Sequence, residues 1–525
     1  MSNTKHSQID WTTFTATLLA ILLACIPILT MQETAAEAIS LAFDFITTNL
    51  GFVYIWFACG AVIFLAWLAF GRFGQVRLGD EDTEPEFKTR SWVGMLFCAG
   101  VGAGMLYWAV IEWGYYIDAP PFGLEARSTA AVEWAASYGI FHWGITGWCF
   151  FCLPTLAIAY PYYVRKIPYL RLSTACHSFL GPEGVNSKRA RLIDFFYMLN
   201  LIGGSGTSLG LSTPMIAANL AELFNVPQTF VLEVAVVFIC IAIFATSSFL
   251  GLQNGFKKLA DLNMLIALAL LFFVLAVGPT LFILKTGTNS IGLVLQNFIR
   301  MNTWTDPASN SRFVESWTIF YWAWWVAYGP FVGIFVTRIS RGRTIRQVVL
   351  GMITFGSLGA ALFFMVFGNY ALFLELNNIL PVTQIMKEVG EAAAITQVMV
   401  SLPMGKLALA AFCLVSIIFL ATTYDSASFT LASVATRELK AGDNPARWNR
   451  VFWAFALGVL PVTLMFIDGG LKVILSATIV VSIPLLVVGV LMSVCLYRSL
   501  SEDHDEKRAS IPEPSTDALP DTVTA

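Results

Sequence analysis

Apolar stretches long enough to cross a bilayer recur from Trp11 to Tyr497, separated by short polar breaks. A helix needs roughly twenty such residues to span the hydrocarbon core. The pattern predicts twelve spans, at 12–30, 51–71, 92–117, 138–164, 194–222, 229–250, 258–284, 315–337, 346–375, 398–434, 449–467 and 471–497. The first begins at Trp11 with no small-residue cleavage site after it, so it is expected to be a retained span and not a signal peptide. Between the seventh and eighth spans, Ser290 to Arg300 reads SIGLVLQNFIR, an amphipathic run too short to cross, which predicts a helix in the outer interface. After Tyr497 the chain is rich in Asp, Glu, Ser and Pro, and 501–525 is expected to be a disordered acidic tail.

Composition agrees with this pattern: 57% of the 525 residues are hydrophobic and 12% charged, far from the balance of an ordinary soluble domain. A formal net charge of −3 with no basic stripe excludes a nucleic-acid partner and leaves membrane lipid as the solvent. Sidedness follows from the basic residues. Of the 31 Lys and Arg residues, 24 fall on the side of the N-terminus and 7 on the other, which places both termini in the cytoplasm. The nine cysteines are scattered. Cys149 and Cys152 form a CxxC inside a span, without the context of a redox centre.

Two segments depart from an ordinary spanning helix, at corresponding places in two prospective five-helix halves. Ala99-Gly100-Val101-Gly102-Ala103-Gly104 puts three alternate glycines in the third span. Glycine favours local unwinding and lets a ligand approach the backbone, although small residues also serve tight helix packing. The second segment, Trp317 to Pro330, reads WTIFYWAWWVAYGP, with six aromatics from Phe320 to Tyr328 ahead of an expected Gly329-Pro330 break. Interfacial belts of aromatics sit at span ends, and this run continues into the span. A quaternary ammonium or sulfonium has no hydrogen to donate; aromatic faces attract it, by about 2 kcal/mol or more when desolvated. Tyr115, Tyr116, Trp143 and Trp148 add rings in neighbouring spans.

The run WTIFYWAWWVAYGPFVGIF followed by ISRGRTIR closely resembles the signature of the betaine/carnitine/choline transporter family, and the span pattern is similar to that family's layout over essentially the whole chain. The resemblance implies an all-α polytopic membrane protein of twelve transmembrane helices with a LeuT-like 5+5 inverted repeat preceded by two extra helices. The organisation is then 1–91 (N-terminal segment and extra helices), 92–289 (first repeat), 290–314 (interfacial helix and loop), 315–500 (second repeat) and 501–525 (tail). It implies a homotrimer in a bacterial cytoplasmic (inner) membrane. It also implies a substrate site of Trp143, Trp148, Tyr115, Trp324, Trp325 and Tyr328 with Gly100, Gly102 and Gly104. Where betaine carriers have a tyrosine three residues after the second tryptophan of the fourth span, this chain has Phe151. Choline carriers tend to an Asp at the position of Gly104, so a betaine-class zwitterion is expected, with carnitine, γ-butyrobetaine and dimethylsulfoniopropionate as the neighbouring candidates.

The chain lacks a Walker-type loop for ATP, which leaves secondary transport. No organic cofactor is expected. The resemblance implies sodium as the coupling ion, held by Cys98, Val101 and Phe419 through carbonyls and by Thr422 and Thr423 through hydroxyls. A second sodium site keeps Ser205 and Phe331 but has Leu201 where a threonine is expected. Lys257 aligns with a position whose arginine replaces sodium in carnitine exchangers, or simply snorkels to the cytoplasm. Sodium-independent exchange is the alternative to symport. Glu112 and Asp425 are acids within spans and candidates for function by default, Glu112 either for proton coupling or for a structural bond. Arg338 to Arg343 is read as an inner gate and topology anchor. The residues form no nucleophile–base pair or metal set of an enzyme, and the short acidic tail predicts activity that follows substrate supply more than osmolality.

Overall fold

The computed structural model describes residues 9–509 apart from 101, 182–183, 251–254, 310, 442 and 466–469. The helices in chain order are α1 (Trp11–Thr30), α2 (Gln32–Phe70), α3 (Thr89–Gly100), α4 (Gly102–Asp118), α5 (Thr129–His142), α6 (Ile145–Tyr163), α7 (Lys188–Phe224), α8 (Phe230–Leu250), α9 (Lys257–Val277) and α10 (Thr280–Gln296). There follow α11 (Phe298–Thr303), α12 (Phe320–Ile339), α13 (Ile345–Phe363), α14 (Asn369–Leu376), α15 (Val382–Glu388), α16 (Glu391–Val400), α17 (Gly405–Val434), α18 (Arg447–Met465) and α19 (Gly470–Ala509). Among the described residues β-pairing is limited to two isolated bridges, Ile9 with Thr436 and Arg77 with Thr344.

Helices occupy all twelve predicted stretches. Eight are long and apolar enough to cross a membrane by length and composition, and the bent pair α3–α4 makes a ninth. Those at the first, fifth and eleventh positions, α1, α7 and α18, are not among them. The lipid solvent shows in the burial pattern, since Trp56, Ile63 and Phe70 of α2 are outward-facing while Tyr54, Leu65 and Leu68 of the same helix are buried. By contrast α12 is buried along its whole length, packed along α6 and against α7 and α19. A helix apolar all round belongs at the centre of a bundle.

The structure departs from the predicted boundaries where the hydrophobic pattern is blind to turns. The second span is one 39-residue helix beginning at Gln32. The fourth is split, α5 ending at His142 and α6 starting at Ile145. The seventh stops at Gly278-Pro279, and α10 starts at Thr280, ten residues before the predicted interfacial helix, so that the 289/290 boundary falls inside a helix. The tenth begins at Gly405, because Met404 adopts a left-handed conformation and separates it from α16. The tail is helical as far as Ala509; Glu502 and Asp503 pair with Arg165, which holds the extension in place. Residues 510–525 of the tail lie outside the described residues.

Gly329-Pro330 does not break α12. A Cβ on Gly329 would stand 2.5 Å from the Phe150 carbonyl, and one on Gly333 would stand 2.9 Å from Pro154 Cβ. These glycines form a close-packing seam with α6, the use small residues have between membrane helices.

Candidate functional site

The glycine-rich segment of the third span does unwind. α3 ends at Gly100 and α4 starts at Gly102, with a bend of 70° between them. Gly102 has φ +59°, and a Cβ there would stand 2.5 Å from Thr423 Oγ1. Both the left-handed backbone and the close approach of α17 therefore require glycine. Gly100 faces the ring of Trp148, 2.8 Å from where a Cβ would be. Gly104 is buried, yet among the described residues a Cβ there would meet nothing within 4 Å, which leaves room beside the break.

Of the expected sodium ligands, Cys98, Phe419, Thr422 and Thr423 converge. Thr423 Oγ1 lies 2.9 Å from the Phe419 carbonyl and 3.5 Å from the Cys98 carbonyl. Thr422 Oγ1 lies 3.0 Å from the Phe419 carbonyl and 2.8 Å from that of Ile418. Carbonyl and hydroxyl oxygens are the donors a hard cation takes, and here they are buried, Cys98 near the end of α3 beside the break and Phe419, Thr422 and Thr423 within α17. Val101 lies outside the described residues, as does the side chain of Ser205. Phe331 is buried in α12 with its ring 4.8 Å from that of Tyr328. Lys257 is engaged by Asp261, 3.5 Å away on its own helix.

Five of the six expected aromatic residues gather around a sixth ring. Trp148 and Phe151 come from α6, Trp143 from the turn between α5 and α6, and Trp324, Trp325 and Tyr328 from α12. Phe151 lies 5.4 Å from Trp148, 5.3 Å from Trp325 and 6.2 Å from Tyr328. Trp325 stacks on Trp324 at 5.0 Å and meets Trp143 edge-on at 4.8 Å. The split in the fourth span serves this arrangement. It leaves the His142 carbonyl at a helix end without an intrahelical partner, and Trp325 Nε1 donates to that carbonyl at 3.0 Å. Gly147 leaves room for the indole, which would be 3.2 Å from a Cβ there. Trp324 Nε1 is buried with no hydrogen-bond partner among the described residues, which leaves a donor on one of the cluster's own rings.

Tyr115 is not part of this cluster. It packs against Trp317 at 5.2 Å and Trp108 at 6.2 Å, and its hydroxyl donates to Glu391 at the start of α16. Two rings that the sequence reading did not assign do reach the cluster. Tyr321 stacks on Trp325 at 5.7 Å, and its place one helical turn before Trp325 in the aromatic run was the available signal. Phe364 lies 6.0 Å from Trp143, from a π-helical turn between α13 and α14 that no local pattern announces. The intramembrane acids are both paired. Glu112 accepts from Tyr116, Tyr321 and Trp143, and Asp425 from Ser247 and Arg450. In the Arg338–Arg343 loop, Arg338 pairs with Glu86 at 2.9 Å and Arg343 lies over the ring of Trp92.

Comparison with known proteins matches these features to a family. Residues 12–505 match the model of BCCT, the betaine/carnitine/choline family transporter. The chain is 37% identical over 449 residues, 85% of its length and 92% of the relative's, to the uncharacterized transporter YeaV of Escherichia coli (strain K12). It is 33% identical over 448 residues, 85% of its length and 81% of the relative's, to a carnitine transporter of Acinetobacter baumannii. Among solved structures it is similar, at 12% identity and a TM-score of 0.39 over 89% of this chain and 82% of the other, to a substrate-bound outward-open state of a Na+-coupled sialic acid symporter. That superposition is too loose to carry an argument. The match across nearly the whole chain, together with the relatives' identities, is decisive: the chain belongs to the betaine/carnitine/choline family, and it is a polytopic membrane transporter and not an enzyme.

Proposed function

We propose that the chain imports a small zwitterionic onium solute of the glycine betaine class, carnitine and dimethylsulfoniopropionate included, by sodium symport. The observation that carries this reading is the ring cluster of Trp143, Trp148, Phe151, Trp324, Trp325 and Tyr328 beside the unwound third span. Such rings suit an onium head group, which offers only a diffuse positive surface. The open space at Gly104 and the unpartnered Trp324 Nε1 give the solute's carboxylate room and a donor. The oxygens of Cys98, Phe419, Thr422 and Thr423 favour sodium over exchange, because they are neutral hard donors with no fixed cation among them.

In this reading the chain follows the family's two inverted five-helix repeats, sits in a bacterial inner membrane with both termini cytoplasmic, and forms a trimer. The outward apolar residues Leu281, Leu284, Leu295 and Ile299 of α10 and α11 offer a surface for a neighbouring copy. Purified protein in proteoliposomes tests the function directly. Labelled glycine betaine and L-carnitine are supplied with and without an inward sodium gradient, and choline, dimethylsulfoniopropionate and each solute compete in turn. Uptake is expected to rise at least tenfold with the gradient. Equal uptake without it, restored by solute trapped inside, would replace symport by exchange.

A further inference from the structure

Glu112 sits on α4 with its carboxylate buried behind the ring cluster. Tyr116 Oη donates to Oε1 at 2.5 Å, Tyr321 Oη to Oε2 at 2.6 Å, and Trp143 Nε1 to Oε2 at 3.2 Å. The hydrogen bonds continue away from the carboxylate: Tyr116 Oη lies 3.1 Å from His142 Nδ1, and His142 Nε2 lies 3.1 Å from Thr318 Oγ1. Because Tyr116 commits its hydrogen to Glu112, its oxygen accepts from His142 Nδ1–H. His142 Nε2 then accepts from Thr318. The sequence Thr318, His142, Tyr116, Glu112 thus points every hydrogen toward the carboxylate, and such a chain polarises cooperatively. Among the described residues the one basic group within 4.0 Å is His142, at 3.8 Å. A carboxylate is an acceptor-only group with several lone pairs. A glutamine in its place would present an N–H to one of three donors.

Two of the three donors are walls of the cluster. Trp143 meets Trp325 edge-on at 4.8 Å, and Tyr321 stacks on Trp325 at 5.7 Å and on Trp324 at 6.1 Å. An N–H or O–H shared with an anion pushes electron density into the ring that carries it, which deepens the negative face that a cation feels. A buried carboxylate one side chain away from the Trp324–Trp325 pair also adds its own long-range attraction in a medium of low dielectric.

We propose that Glu112 is the charge-selecting positioning residue of this site: by fixing and polarising Trp143 and Tyr321 it makes the ring cluster prefer an onium head group to an uncharged group of the same shape. The inference rests on the onium reading of the site and adds what discriminates charge from shape. It also orients the solute, with the onium toward Glu112 and the carboxylate toward the unwound glycines.

The test compares glycine betaine with 3,3-dimethylbutanoate, in which carbon replaces the charged nitrogen in an otherwise matching shape. Each competes for labelled glycine betaine or L-carnitine uptake in proteoliposomes, and binding to detergent-solubilised protein is followed by tryptophan fluorescence where uptake is lost. The wild type is expected to prefer glycine betaine strongly. Glu112→Gln should narrow the preference by about tenfold or more, chiefly through weaker betaine binding. Tyr321→Phe deletes one donor and keeps the ring, and should narrow it in the same direction by a smaller factor. A Glu112→Gln protein that weakens both compounds equally, or leaves the ratio unchanged, overturns the proposal. If Glu112→Gln does not fold, an unchanged ratio in Tyr321→Phe overturns it instead. A wild type that binds both compounds equally would sink the onium reading itself, an outcome separate from the variants' behaviour.

Discussion

Gly102 and Gly104 are two residues apart and answer to different constraints. Gly102 holds φ +59° with Thr423 Oγ1 2.5 Å from a prospective Cβ, whereas Gly104 has ordinary helical backbone and open space. A side chain in the left-handed region costs about 1–2 kcal/mol before any clash. Gly102→Ala is therefore expected to lower solute uptake at least tenfold while the protein still reaches the membrane, and Gly104→Ala to fold normally and raise KM. Matched uptake and fluorescence-detected chromatography separate the two, and a silent Gly102→Ala would remove the reason given for the break. Thr423 carries a parallel prediction. Thr423→Ala should raise the sodium half-saturation about tenfold, while Thr423→Ser, which keeps the oxygen between the Phe419 and Cys98 carbonyls, should stay near wild type. At this scale the sequence named residues that the fold does bring together, the tryptophans of α12 in one ring cluster and the two adjacent threonines near the Phe419 carbonyl. Tyr115 packs apart from the ring cluster, against Trp317 and Trp108, a placement no sequence pattern distinguishes, and Phe364 was not assigned because its π-turn brings it in from a distant helix.

At the scale of elements, a helix stands at each of the twelve stretches hydropathy marked, eight of them long and apolar enough to span and a ninth as the bent α3–α4 pair, but hydropathy did not locate the breaks. A Gly-Pro pair reads as a stop, yet Gly329-Pro330 lies inside α12 because the glycine's function is the seam with α6. The break at Trp143-Gly144 has no proline, and the His142 carbonyl it frees is taken up by Trp325. Whether a small residue unwinds a helix or lets another approach depends on the neighbouring helix, which local sequence does not contain. If the seam account holds, Gly329→Val forces a Cβ and its methyl groups against the Phe150 backbone and should destabilise by more than the roughly 1–3 kcal/mol typical of overpacking. A thermal-shift assay in detergent would then show a clear fall in melting temperature, and an unaffected melting temperature would argue against the seam. The extension of α19 gives a gentler case. Asp503 accepts from Tyr160 at 2.6 Å and from Arg165 at 2.8 and 3.1 Å. Arg165 and Asp503 are partly exposed while Tyr160 is buried, so Asp503→Asn is expected to cost about 1 kcal/mol, and less in high salt than in low. A loss that salt leaves unchanged would point to packing instead of charge.

Across the whole molecule the basic residues have two uses, and only one of them was legible in sequence. Their 24 to 7 division is the basis for expecting one face to be cytoplasmic. Their partners appear only once the chain is folded. Arg171 is buried and donates to the carbonyls of Thr436 and Arg437 at the end of α17. Arg338 pairs with Glu86, and Arg165 with Glu502 and Asp503. On the opposite face Arg127 joins Asp118 and Glu375, while Lys387 also reaches Asp118. The face with the charge excess thus ties together loops from both halves of the chain, and the other carries a smaller network between α4 and the α14–α15 turn. If the first face is cytoplasmic, a cysteine at exposed Ala308, in the loop before α12, must be reachable from outside the cell, and one at exposed Ala441, between α17 and α18, must not. The background is favourable because seven of the eight cysteines among the described residues are buried. Intact cells expressing Ala308→Cys are expected to react with a membrane-impermeant maleimide, and those expressing Ala441→Cys to react only after permeabilisation. The reverse order would invert the orientation, and with it the side of the membrane on which the Arg338–Glu86 pair lies.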